Sequence, residues 1–214
     1  MRRFGLFFLL SAPAWLLAPA ATASAKPTPA SRNYMFTGSP GATALIHPGY
    51  KSSTAAQITT TGDGSGGLAT WGAVDVVIPS TLQFGQITTL MAEYRFELGS
   101  CWGGSPRFEA WIPDASSPTG HDKVFFYIGP PPDYTGCALG VWASTGNLAA
   151  PASYVDDSQL RGGTPYDTVA HADHVYGSDP VSAVYLDADG GWEATQTIDF
   201  DNTQVNGTLV TYEK

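Results

Sequence analysis

Positive charge is in short supply in this chain. Ten Lys and Arg face nineteen Asp and Glu over 214 residues, and charged residues of both signs make up only 14%. A protein this acidic repels phosphate backbones and anionic lipid headgroups, which argues against nucleic acid and charged membrane surfaces as partners, although acidity that keeps an exported protein soluble gives the same balance. Cysteine is nearly absent, with only Cys101 and Cys137. Neither has a neighbouring His or Cys at ligand spacing, so a thiolate metal centre and a reactive thiol are both disfavoured. After residue 25 nothing approaches the run of about 20 apolar residues that spans a bilayer. No stretch sustains the 3.6-residue apolar period of an amphipathic helix. The Gly-x-Ser-x-Gly elbow of serine hydrolases and the full Asp-x-Asp-x-Asp-Gly loop of an EF-hand are missing too.

What is present begins with a secretory leader. Arg2 and Arg3 open a segment that is almost wholly apolar from Phe4 to Leu17 and ends on Ala23-Ser24-Ala25. Small residues at that spacing predict cleavage before Lys26, and hence an exported protein with no membrane insertion once the leader is gone. Its loss leaves eight basic residues against nineteen acidic ones, a net charge of −11. Residues 26–32, which contain Pro, Ser and Thr, read as a flexible tether. Residues 33–214 read as one domain, long enough for a single buried core and short for two. In an oxidising compartment Cys101 and Cys137 read as one disulfide.

The domain reads as β almost throughout. In Glu93–Leu98, Tyr94, Phe96 and Leu98 share one face while Glu93, Arg95 and Glu97 share the other. Arg107–Ile112 repeats the pattern, with Phe108, Ala110 and Ile112 inward and Arg107, Glu109 and Trp111 outward. Strict alternation marks a strand with one dry face and one wet face. Further strands are expected over 68–78, 123–128, 137–142, 181–187, 195–201 and 208–212. The turn markers Gly103-Gly104-Ser105-Pro106, Pro130-Pro131-Pro132-Asp133 and Asp189-Gly190-Gly191 separate them. Asn206-Gly207 predicts a closing hairpin. Together these imply an all-β fold: a single antiparallel β-sandwich of jelly-roll type with one disulfide.

The run Cys101-Trp102-Gly103-Gly104-Ser105-Pro106-Arg107-Phe108, with Gly136-Cys137 and Trp142, resembles small secreted bacterial all-β proteins that carry a Cys-x-Gly-Gly-Ser-Pro-Arg-Phe segment and have no assigned activity. Tyr185-Leu186-Asp187, Ile198-Asp199-Phe200-Asp201-Asn202 and Val205-Asn206-Gly207 are similar to the closing hairpin of concanavalin-like and jelly-roll carbohydrate-binding modules. The first resemblance implies a fold and an export route. The second implies glycan binding by analogy of fold.

Five groups of residues are candidates for chemistry. Flat aromatic rings stack on the apolar faces of sugar rings, and Trp102, Trp111, Trp192 and Tyr134 sit on a polar strand face or in turns. They are therefore the expected stacking residues, with Arg107 as a polar partner; aromatic core filling is the competing account. Asp187, Asp189, Asp199 and Asp201 offer hard oxygens near the end of the chain and leave room for a structural calcium; ordinary turns and wet strand faces explain them as well. His171-Ala172-Asp173-His174, with Asp167 nearby, lacks the Glu of a zinc hydrolase and reads as loop. Gly62-Asp63-Gly64-Ser65-Gly66-Gly67 superficially matches a serine-protease nucleophile loop, but an extra glycine separates Asp63 from Ser65. Glu93, Glu97 and Glu109 could form the carboxylate pair of a glycosidase, although Arg95 and Arg107 beside them give a cross-strand ion-pair account of the same residues. The expectation is a secreted, non-catalytic module that binds an extracellular polysaccharide. A glycan-active hydrolase using paired glutamates is the second reading, and a structural or adhesive envelope protein the third.

Overall fold

A computed structural model describes residues 32–62, 69–191 and 195–213. The expected leader, the tether up to residue 31, the Asp63–Gly67 turn and Trp192 lie outside the described residues. In chain order the strands are β1 (Tyr34–Gly38), β2 (Thr43–Ile46), β3 (Ala55–Thr61), β4 (Trp71–Val76), β5 (Leu90–Leu98), β6 (Arg107–Pro113), β7 (His121–Tyr127), β8 (Ala143–Ser144), β9 (Tyr154–Val155) and β10 (Asp167–Thr168). Helix α1 (Val169–Tyr176) follows, and then β11 (Ala183–Asp189), β12 (Thr195–Val205) and β13 (Thr208–Val210). Two antiparallel sheets face each other. The first runs β1-β4-β11-β6-β7 and the second β2-β3-β12-β5-β8, with β13 paired to β12. The chain changes between these two sheets repeatedly, at β1–β2, β3–β4, β4–β5, β5–β6, β7–β8 and β11–β12, which makes the fold an antiparallel β-sandwich.

Period-two patterning decides what lies between the layers. Phe108, Ala110 and Ile112 of β6 and Leu90, Ala92, Tyr94 and Phe96 of β5 are buried, as are Val74 and Val76 of β4 and Val184 and Leu186 of β11. Phe96, Phe108, Phe126, Phe200 and Tyr212 are the largest side chains sealed in this core. Each fully buried side chain of this kind contributes about 1.5–3 kcal/mol relative to exposure. The closing hairpin forms as expected, with Val205 opposite Thr208 and Asn206 in the left-handed region at φ 50°. Cys101 and Cys137 are bridged with their Cα atoms 5.2 Å apart, and the β6–β7 hairpin lies between them in the chain.

Three expectations need correction. Leu98 does not join Tyr94 and Phe96 in the core but is 51% exposed. The register of β5 against β12 shifts between Thr197 and Ile198, so Leu98 opposes Thr197 while Phe96 opposes Ile198. An irregularity of that kind turns the next side chain to the other face. Residues 137–142 form no strand; only an isolated bridge joins Leu139 to Phe96, and Gly140 takes φ 72°. The segment around His171 is helical rather than loop. Thr168 Oγ1 accepts from His171 N at 3.2 Å and caps the helix, which buries Val169, Ala172 and Tyr176.

Candidate functional site

The outer face of the first sheet carries the unusual chemistry. Register places Thr37, Ala73, Asp187, Arg107 and Tyr127 in one rank across the five strands. The next rank is Met35, Asp75, Tyr185, Glu109 and Phe125. Trp111 opposes both Ala183 and Lys123, and Trp71 opposes Asp189. These side chains point away from the core because their neighbours Val74, Phe108, Ala110, Val184 and Leu186 point into it. The outer face is not flat: a hollow of about 470 Å³ lies over Arg107, Glu109 and Asp187, and Trp71, Trp111, Tyr185, Lys123 and Asp189 also line it.

Arg107 organises the floor. Its Nε donates to Glu109 Oε1 at 2.9 Å, its Nη2 donates to Asp189 Oδ2 at 2.7 Å, and its Nη1 donates to the Gly104 carbonyl. Asp187 Oδ2 lies 3.0 Å from Nη2 but accepts no hydrogen bond with proper geometry. Glu109 Oε2 accepts from Trp111 Nε1 at 2.9 Å and pairs with Lys123 Nζ at 2.9 Å. The Lys123 ammonium lies 4.9 Å from the Trp111 ring centre. Trp111 stacks on His121 at 3.8 Å between centroids and lies 4.7 Å from Tyr185. Its orientation is therefore fixed on one face, at one edge and by its own N–H.

Three carboxylates around one guanidinium cannot all be satisfied equally. Burial pushes Asp187 up, Arg107 pulls it down, and the charges of Glu109 and Asp189 raise it again, so that it reaches about 7. Burial also disfavours ionised Glu109, but Arg107, Lys123 and the Trp111 N–H outweigh it and hold this carboxyl below the usual range. Burial opposes the charge on Arg107 as well; Asp187, Glu109 and Asp189 more than compensate and keep the guanidinium ionised.

The expected site residues distribute unevenly over this geometry. Trp111 lines the hollow. Arg107 lies beneath it, but it is 7% exposed and its N–H groups are taken by Glu109, Asp189 and Gly104, so it braces the floor instead of greeting a ligand. Trp102 is 55% exposed and bridges Thr135, away from the lining residues. Tyr134 is not an exposed stacking residue: at φ 53° in the turn after the prolines it swings inward, is buried, and packs 5.7 Å from Tyr127. Glu93 and Glu97 lie on β5 in the second sheet and Glu109 on β6 in the first, so Glu109 does not pair with either of the other two. Glu97 instead pairs with Arg95 at 2.6 Å.

The calcium donors are divided in the same way. Asp187 and Asp189 belong to the first sheet, whereas Asp199 and Asp201 belong to the second. Asp199 pairs with Arg95 at 2.8 Å and accepts from Gln57 at 2.9 Å, while Asp201 accepts from the Tyr50 and Asn202 amides. Among the described residues no group of three His, Cys, Asp or Glu side chains is placed to hold a metal ion. His171 Nδ1 meets Asp167 Oδ2 at 2.6 Å, and that hydrogen bond raises its pKa above the ordinary value. Trp71 and Tyr185 were missed as stacking residues, although the inward Val74 and Val76, and Val184 and Leu186, put both on the outer face by simple alternation.

No protein-family model matches the chain, and no curated protein matches it.

Proposed function

We propose that the chain is an exported, non-catalytic glycan-binding module whose ligand lies in the hollow on the outer face of the first sheet. The observation that carries this reading is the placement of Trp71, Trp111 and Tyr185 around a hollow of about 470 Å³ floored by fixed carboxylates and an immobilised guanidinium. Stacking surface beside a few oriented polar groups suits a sugar ring, which is apolar on its faces and polar at its edges. The disulfide, the leader-like N-terminus and the resemblance to small secreted bacterial β-proteins support an extracellular setting. The resemblance of the closing hairpin to carbohydrate-binding modules supports the ligand class. The test is depletion of the purified mature protein by a panel of insoluble polysaccharides, beside its Trp111→Ala variant. At least one polysaccharide should retain the parent protein and release the variant; retention by none contradicts the reading.

One observation favours a second reading, hydrolysis. Glu109 is held ionised while Asp187 holds its proton up to about pH 7, and carboxyls pushed apart in this way serve as base and acid in glycosidases. Release of reducing ends from the retained polysaccharide, abolished by Glu109→Gln, would establish it in place of simple binding.

A further inference from the structure

We propose that this hollow and a neighbouring one beside Tyr127 form one continuous groove that takes the interior of an unbranched glycan without acidic groups. The inference rests on the glycan-binding reading and names the ligand class of that same face. The second hollow, of about 310 Å³, is lined by Gly104, Phe125, Tyr127, Asp156, Ser158 and Gln159, and it shares Arg107 and Lys123 with the first. Its far wall belongs to the sheet: Phe125 N donates to Asp156 O at 2.8 Å and Asp156 N donates back to Phe125 O at 2.9 Å. It adds aromatic surface of its own: the Phe125 and Tyr127 rings lie 6° from parallel with their centroids 6.3 Å apart. Five strands at a spacing of about 4.8 Å make each outer rank about 19 Å long, before the segment at Asp156 extends it. That is the length of a chain of sugars rather than of a single ring.

Charge selects the chemistry of that chain. Arg107 is nearly buried and bonded to Glu109, Asp189 and Gly104, and the Lys123 ammonium rests on Glu109 Oε2. Each cation is already paired with a carboxylate of the floor, which lowers its pull on a uronate or a sulfate. Glu109, Asp189 and Asp156, even without Asp187, outnumber the two cations along the groove, so an acidic polymer is repelled.

The experiment is calorimetric titration of the mature protein with cellobiose and cellohexaose, xylobiose and xylohexaose, chitobiose and chitohexaose, and with oligogalacturonate as the acidic probe. In at least one neutral series the hexaose should bind about tenfold or more tighter than the biose, and oligogalacturonate should not bind. In the Ser158→Ala/Gln159→Ala double variant, both positions being exposed, the advantage of the hexaose should disappear. A Phe125→Ala variant, which removes part of the aromatic floor, should do the same. Equal affinity for biose and hexaose, an undiminished hexaose advantage in both variants, or preference for oligogalacturonate overturns the groove while leaving a single-ring site intact. Binding of no saccharide at all removes the glycan-binding reading and this inference with it.

Discussion

Asp187→Asn isolates the electrostatics of the floor. Burial drives the Asp187 carboxyl up, Arg107 only partly opposes this, and Glu109 and Asp189 add to the rise, so a group that ordinarily titrates near 3.8 does so near 7 in the folded protein. Below both values the proton is bound in either state, and the native environment of the neutral carboxyl is fully stabilising. As the pH climbs from about 4 the unfolded chain releases this proton while the native state keeps it, so stability falls until the folded group ionises near 7. About three pH units at about 1.4 kcal/mol each set the loss at roughly 4 kcal/mol. Asn carries no proton to lose. The stability difference, variant minus parent, should therefore rise by up to about 4 kcal/mol between pH 4 and pH 8. Urea unfolding followed by tryptophan fluorescence across that range measures it. Burial also raises Asp75, Asp157 and Asp201, so the parent curve alone does not isolate Asp187, whereas the difference does. A difference that stays flat within about 1 kcal/mol, or that falls with pH, refutes this account of the buried cluster.

Other consequences follow from the frame. Removing the disulfide as Cys101→Ala/Cys137→Ala, which frees a loop spanning 36 residues, should cost about 4 kcal/mol in urea unfolding, and dithiothreitol should lower the melting temperature of the parent but not of the variant. Phe108→Ala, at a fully buried position between the sheets, should cost about 3–5 kcal/mol by the same assay. Thr168→Ala removes the side-chain acceptor at the start of α1 and should cost about 1 kcal/mol, leaving ligand retention unchanged.

Much of this architecture was legible in the chain because single residues answer to single-face rules. Alternation in Arg107–Ile112 assigned Phe108 and Ala110 to the core and Trp111 to the outside without knowledge of neighbours. Asn206-Gly207 announced its own turn. Less legible were elements whose apolar signal is diluted: β3 buries Ala55, Ala56, Ile58 and Thr60, three of which are small or polar, and α1 is only eight residues long. The site was half visible for a different reason. Alternation tells which face a residue takes but not which strands adjoin. Residues as distant in sequence as Trp71, Glu109 and Tyr185 share one hollow because β11 sits between β4 and β6. The same blindness set Glu97 beside Glu109, since nothing local marks the change of sheet between β5 and β6. Tyr134 was turned the wrong way because a left-handed backbone, not alternation, sets its direction.

The most direct test compares two exposed tryptophans. Trp71, 43% exposed, lines the hollow, whereas Trp102, 55% exposed, does not. Binding of the protein to whichever polysaccharide retains it should weaken at least about tenfold in Trp71→Ala and stay unchanged in Trp102→Ala. Full retention by Trp71→Ala, or loss confined to Trp102→Ala, contradicts a ligand site on the outer face of the first sheet.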